Sequence, residues 1–188
     1  MINLMYLVFI AMLAMNMSKE VLSAFGYTNE KLVDNNISIN NKNSSAYANL
    51  DMKASEQPDK FTALNNKAIK VQQYSSDFYE FLSALKIKMI AEIEDKEDYE
   101  AMDKTDWLDA YFFQGDKYAA EGQEFLENIN GFRDSLISVL GSDSKFVPML
   151  KKRFSTVAVI NGKTKKSVPF LEARYQGFPM VASLTNFT

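Results

Sequence analysis

The sequence has no cysteine and no histidine, and among its 188 residues there are only four prolines and seven glycines. Without Cys or His there are no thiol nucleophiles, no Ser-His or Cys-His pairs, and no zinc sites built on these residues. Long stretches free of Pro and Gly favour helices. We therefore expect a mainly α-helical fold, no cofactor and no enzymatic activity.

The chain also lacks an excess of basic charge and a glycine-rich phosphate loop. Its net charge is −3, with both signs mixed along the sequence, so no nucleic-acid partner is expected. The segment Asn161-Gly162-Lys163-Thr164 ends like a phosphate loop but lacks the upstream glycine that such a loop requires. We interpret it as a hairpin turn, because Asn-Gly tolerates the positive φ angles of a two-residue turn.

Residues 1–17 form an apolar run without a charged residue. Sixteen of them would span ~24 Å as a helix, slightly less than a bilayer core of ~30 Å. A signal peptide would need a basic start and a nearby cleavage site, and a buried core helix is the other alternative. We predict an uncleaved transmembrane helix over residues 1–19, with Lys19 and Glu20 at the membrane boundary and an upstream segment missing.

Beyond the span we predict a membrane-proximal helical extension, residues 20–33, and then a helical domain, residues 34–188. Residues 34–49 are rich in Asn, Ser and Lys, which fits either a linker or a helix with one thin apolar stripe. We favour the helix, because apolar residues recur at helical spacing in this region: Leu32, Val33, Ile37, Tyr47, Leu50 and Ala54. A stripe this thin needs a partner, so a parallel homodimer is expected.

The domain itself should contain further long helices. One begins near Pro58, since Pro is favourable in a first helical turn, and continues to the low nineties. Another, capped by Asp116, runs from Tyr118 and ends before Gly141. Residues 92–103 read as a solvated acidic loop, residues 107–113 as an aromatic cap on the core, and residues 142–154 as a short helix interrupted by Pro148.

A change to period two predicts a β-hairpin at about residues 155–175. It should turn at Asn161-Gly162, and its return strand, Ser167 to Tyr175, should lie at a sheet edge because of Pro169. A last helix opens after Pro179, and we expect it to be truncated.

Three blocks carry a family resemblance: MINLMYLVFIAMLAMNMSKEVLSAFG at the start, then TDWLDAYFF, then GFPMVASLT. Together they resemble the GldM/PorM family, inner-membrane proteins of gliding and type IX secretion in Bacteroidota. The resemblance implies a single-pass protein of the bacterial inner membrane with its C-terminal domain in the periplasm. It also implies a homodimer whose spans lie inside a ring of GldL/PorL-like membrane subunits, driven by the proton motive force, with further periplasmic secretion components as partners. A passive structural tether is the alternative.

The apolar run adds a constraint of its own. It contains no Asp, Glu, Lys, Arg or His, so a proton must be carried by a carboxylate of the partner. Asn3 and Tyr6 lie one turn apart and could hydrogen-bond to that partner, although Tyr6 could instead be an interfacial belt residue. The candidate coupling interface is Asn3, Tyr6, Ile10 and Asn16. Ala14 and Ser18 are candidates for close helix packing, while Lys19 and Glu20 are candidate headgroup anchors next to the lipid bilayer.

Overall fold

The computed structural model describes residues 5–6, 19–91, 93–104, 106–115 and 117–188. The predicted span, residues 1–19, lies almost wholly outside these ranges and stays a prediction. Among the described residues, no helix combines the length and the apolar character needed to cross a membrane. The described chain is mainly helical, as predicted, with two small antiparallel hairpins.

Two long helices form an antiparallel pair. Helix α1 is Lys19–Glu56 and helix α2 is Pro58–Met89. They meet at Gln57, where Pro58 occupies the first turn of α2 as predicted, because its missing N–H needs no partner there. The polar segment after residue 33 is helical, so the linker alternative is wrong, and α1 continues unbroken through the predicted boundary at residues 33–34.

The remaining elements gather around one end of this helix pair. In chain order they are a 3-10 helix Tyr99–Asp103, α3 Asp106–Phe112, β1 Phe113–Gln114, β2 Lys117–Tyr118, α4 Ala120–Leu140, α5 Val147–Arg153, β3 Val159–Ile160, β4 Ser167–Val168, α6 Phe170–Arg174 and α7 Met180–Asn186. Helix α4 packs against α2, and α7 packs against α1.

The core is built largely from aromatic rings at this end. Phe125 of α4 contacts Phe112, Tyr175 and Phe187, with ring centroids 5.0 to 5.6 Å apart. The contributions of the long helices to the core come from the start of α1 and from the last third of α2, and no described residue between 33 and 77 belongs to it. The far half of the helix pair therefore extends away from the core.

Helix α4 confirms one predicted end and corrects the other. It stops at Leu140, and Gly141 follows with φ +90°, the left-handed region that favours glycine. Tyr118, predicted to be helical, lies instead in β2, paired with Phe113. The helix starts two residues later, after Ala119, and the predicted cap Asp116 lies outside the described residues.

The predicted hairpin exists but is much shorter than residues 155–175. Strands β3 and β4 pair Val159 with Val168 and Ile160 with Ser167. Asn161 and Lys166 close a four-residue loop in which Lys165 has φ +58°, so the predicted two-residue turn is wrong. The Asn161 side chain explains the longer loop, because its Oδ1 accepts hydrogen bonds from the backbone N–H of Lys163 and Thr164.

Three further expectations are corrected. The return strand stops at Val168, because Pro169 has no N–H for a ladder and instead precedes helix α6. Pro148 does not interrupt the short helix but occupies the first turn of α5. The acidic stretch is not simply a solvated loop, since its 3-10 helix buries Met102 completely.

Candidate functional site

The sequence-predicted site falls mostly outside the described residues. Asn3, Ile10, Ala14, Asn16 and Ser18 are not among them, so their proposed roles stay predictions. Tyr6 is helical and exposed. Lys19 and Glu20 are the first two residues of α1, both exposed. These two residues mark the place where the described chain meets the predicted span.

The structure adds a feature that the sequence did not predict: a clamp on the start of α1. We use "clamp" for residues 19–30 of α1 together with the 3-10 helix Tyr99–Asp103 that packs on them. Asp98 orders this 3-10 helix, because its carboxylate accepts hydrogen bonds from the N–H of Glu100 and Ala101 at 3.1 and 3.3 Å. The clamp thus sits directly next to the predicted membrane boundary.

Gly26 and Tyr99 form the centre of the clamp. Gly26 is buried within α1, and a Cβ at this position would overlap the ring of Tyr99. Helix α1 continues through Gly26 without a break. Gly26 allows the ring of Tyr99 to approach α1 closely, because the ring can lie on the helix backbone only where no side chain intervenes.

Two polar contacts extend the clamp on either side of this ring. Tyr99 Oη donates a hydrogen bond to Glu30 Oε1 at 3.1 Å. Partial burial, with the neighbouring Glu30 as a further cause, raises the pKa of Tyr99, so the hydroxyl keeps its proton at neutral pH. At the other side, Lys19 Nζ forms an ion pair with Glu100 Oε2 at 2.7 Å. Both side chains of this ion pair are well exposed, so it adds little stability.

The C-terminal part of the chain holds α1 from another side. Thr185 Oγ1 lies 3.2 Å from the carbonyl oxygen of Phe25. Thr188 Oγ1 donates to Asn29 Oδ1 at 2.6 Å and accepts from Lys86 Nζ at 2.8 Å. Burial lowers the pKa of Lys86. Through Thr188, a buried Asn of α1 and a Lys of α2 are tied to the same hydroxyl.

The clamp is connected to the core by the backbone as well. The N–H of Met180, at the start of α7, donates to the carbonyl oxygen of Lys104 at 2.9 Å. Leu22 on α1 and Met102 in the 3-10 helix are both buried in the core. The start of α1 is therefore fixed to the 3-10 helix, α2 and α7 together, and a displacement of this end must move the body with it.

The sequence contained two signals for this site. A tyrosine inside an acidic run, Glu97-Asp98-Tyr99-Glu100, is a poor fit to a purely solvated loop. A glycine on the apolar side of a helix, as at Gly26, indicates either a bend or a close approach. Neither signal identifies the residue on the other side of the contact, because Gly26 and Tyr99 are more than 70 positions apart in the sequence.

A comparison with known families agrees with the resemblance seen in the sequence. Residues 20–188 match the family described as the GldM N-terminal domain. No curated protein matches the chain. The family match covers everything after the predicted span, including the clamp, both long helices and the aromatic core, and the chain therefore belongs to the GldM family of gliding motility and type IX secretion.

Proposed function

We propose that this chain is a component of an inner-membrane motor driven by the proton motive force. Its span would form an uncharged axle inside a ring of GldL/PorL-like subunits, and its body in the periplasm would pass torque to further components of type IX secretion and gliding. In this proposal the chain performs no catalysis and binds no cofactor.

The observation that carries the proposal is the way the described part of α1 is held next to the predicted membrane boundary. From Lys19 the helix runs for 38 residues without a break, a length of ~57 Å. Its first three turns are clamped to the body through Tyr99, Glu100 and Thr188. A passive tether needs only a connection of sufficient length, whereas a motor needs one that does not swivel. The clamp supplies that property.

The uncharged run, residues 1–17, supports an axle whose partner carries the charge. A unit charge on the axle ~4 Å from a partner carboxylate would be worth about 4 kcal/mol at an effective dielectric of ~20. A cation on the axle would hold the rotor at one angle by this attraction, and an anion such as Asp would bar one angle by a repulsion of the same size. A neutral hydrogen-bond donor such as Tyr6 contributes only ~1 kcal/mol net, which permits stepping.

The test of the axle is Ile10→Asp, with Ile10→Leu as the matched control. We expect Ile10→Asp to abolish gliding and type IX secretion while protein level and complex assembly, measured by co-purification, stay normal. Ile10→Leu should behave as wild type, and Tyr6→Phe should reduce both activities. Normal gliding and secretion with Ile10→Asp at wild-type protein level would reject the motor in favour of the passive tether.

We also propose that the chain works as a parallel homodimer. Every residue from 33 to 46 is exposed, including Val33 and Ile37, which lie one turn apart on the same face of α1. An apolar pair left exposed on a helix that leads away from the membrane is suited to a second copy beside it.

The absence of cysteine makes the dimer directly testable. A single Ile37→Cys substitution in native membranes should give a disulfide-linked dimer on mild oxidation, since a parallel pair places equivalent residues near each other. Asn35→Cys, on the opposite face of the same turn, should cross-link far less. Equal yields at the two positions would contradict this dimer face.

A further inference from the structure

A groove lies between α2 and α4, on a part of the body separate from the clamp. It encloses about 320 Å³ and is lined by residues of these two helices alone. Its main lining residues are Tyr74, Asp77, Phe78, Glu127, Gly131 and Phe132.

The floor of the groove is a fixed aromatic surface. Phe78 of α2 and Phe132 of α4 stack with centroids 4.5 Å apart and planes only 7° from parallel. Phe154 meets both rings edge-on, at 6.3 and 5.1 Å. The carbonyl oxygen of Phe154 accepts a hydrogen bond from Arg133 Nη1. The two stacked rings are thus held by a third ring that is not part of the groove lining.

The sides of the groove are acidic and lack a counter-charge. Asp77 comes from α2 and Glu127 from α4, and no lining residue is cationic. Within the described chain neither carboxylate takes part in a salt bridge. The neighbouring Arg133 does not neutralise them, because its guanidinium already bonds both carboxylate oxygens of Asp134, at 2.8 and 3.1 Å, and the side chain of Asn130.

Gly131 keeps one wall of the groove free of a side chain. The two glycines of α4 differ in this respect. A Cβ at Gly122 would meet the backbone of Phe112, so close packing requires that glycine, but a Cβ at Gly131 would meet nothing within 4 Å. Glycine within a helix costs about 1 kcal/mol relative to alanine. Packing within the chain does not require a glycine at position 131 and so does not explain this cost. An open groove would explain it, because a side chain at this position would narrow the groove.

We propose that this groove binds an arginine side chain of a partner protein. A planar guanidinium can pack against the aromatic side chains that line the groove and hydrogen-bond to the carboxylates on both sides. It is more weakly hydrated than an ammonium, so it loses less on leaving water than a lysine would. This binding surface goes beyond the motor function and does not depend on it, since it concerns the body alone.

The direct test uses a defined probe, the tripeptide Ac-Ala-Arg-Ala-NH2, titrated into the detergent-solubilised full chain. The backbone amide of Gly131 is a convenient NMR reporter, because the chain has only seven glycines and Gly131→Ala identifies its signal. We expect a saturable shift with a dissociation constant on the order of 1 mM, the strength of a contact by one side chain. The lysine tripeptide should bind several-fold more weakly, and the citrulline tripeptide, which is neutral and nearly isosteric, should give no saturable shift.

Variants then separate charge from shape. Asp77→Asn with Glu127→Gln removes both charges on the exposed rim and should weaken the arginine tripeptide at least about tenfold. Gly131→Leu should fill the groove and abolish saturation transfer to the arginine δ-methylene protons, whereas Gly131→Ala should retain it. Thermal unfolding midpoints establish that each variant folds. The proposal is overturned if the citrulline or lysine tripeptide binds as well as the arginine one, or if the double carboxamide variant binds normally.

Discussion

The first and middle parts of α1 belong to one continuous helix but are held in different ways. In residues 19–32 the helix buries Leu22, Gly26 and Asn29 against the body. In residues 33–46 every residue is exposed. The first part thus gains stability from buried tertiary contacts, whereas the middle part buries no side chain and depends mostly on the helix itself, apart from the hydrogen bond from Asn36 to the carbonyl oxygen of Thr188.

The composition of the middle part makes this difference instructive. Residues 33–46 include five asparagines and three serines, which favour caps and turns over helix interiors because their side chains compete for backbone hydrogen bonds. Ser45, for example, bonds back to the carbonyl oxygen of Asn41 at 3.0 Å. A helix with this sequence and no buried side chain is marginal in water. The segment is therefore the part of α1 that has most to gain from a partner.

The largest effect should follow from Gly26→Leu, which breaks the clamped part. The new side chain overlaps the Tyr99 ring, so either the ring or the helix must move, at a cost of about 1–3 kcal/mol for overpacking. Trp107 fluorescence during thermal unfolding of the full chain in detergent measures the loss. Ser38→Leu, which adds the same side chain to the exposed part, is the control and should change the midpoint little. Equal destabilisation by both would contradict the comparison.

A similar difference, between features set locally and features set by distant contacts, distinguishes what the sequence could predict from what it could not. Long-range packing is not needed to recognise helix α2, because Pro58 and the stripe through Phe61, Leu82, Leu85 and Met89 define it locally. The end of α4 at Gly141 is likewise a local signal. These features were predicted within a few residues.

The features that were missed depend on partners far along the chain. Tyr118 continues the spacing of α4, yet it pairs with Phe113 in a hairpin, and no period reveals that pairing. The clamp joins Gly26 to Tyr99, and the acidic residues around Tyr99 made the segment look solvated. The proposed groove also needs two helices, and only their packing brings Asp77 and Glu127 to the same opening.

The next largest effect should come from stabilising the middle part of α1. Replacing Asn35, Asn40, Asn41 and Asn43 by Ala should strengthen the local helix by about 0.5 kcal/mol each; Asn36 is kept because it donates to the carbonyl oxygen of Thr188. Amide hydrogen exchange in residues 33–46 should slow by roughly tenfold or more. Ser23→Ala, in the clamped part, should leave exchange there almost unchanged. Unaltered exchange in the middle part of the fourfold variant would show that something else already holds it.

A smaller effect is expected from Tyr99→Phe, which keeps the ring on Gly26 and removes only the hydrogen bond to Glu30. A net loss of about 0.5–1.5 kcal/mol is typical of such a bond. The folded state raises the pKa of Tyr99, so its contribution is complete below the unfolded pKa and is lost as the pH rises through the folded value. Tyr99→Phe should therefore flatten part of the alkaline fall in thermal stability. Tyr118 and Tyr175 contribute to the rest, because burial raises the pKa of both, that of Tyr175 to about 12. An unchanged alkaline profile would mean that Tyr99 does not act through its hydroxyl.

The smallest effect should be that of Lys19→Ala, although Lys19 forms a close ion pair in the clamp, 2.7 Å to Glu100. Both partners are well exposed, and exposed pairs are weakened by salt and by the entropy of ordering long side chains. We expect no measurable change in the unfolding midpoint, at low or high salt. Gliding and secretion, in contrast, should fall if Lys19 anchors this end of α1 at the headgroups. Without the lysine, this end of the helix would be held less firmly relative to the membrane. Lys19→Arg keeps the charge and should restore both activities. A lower unfolding midpoint in Lys19→Ala would instead show that Lys19 stabilises the clamp. The difference between the clamped and the unclamped part of α1 would then depend on electrostatics rather than on the packing of Tyr99 against Gly26.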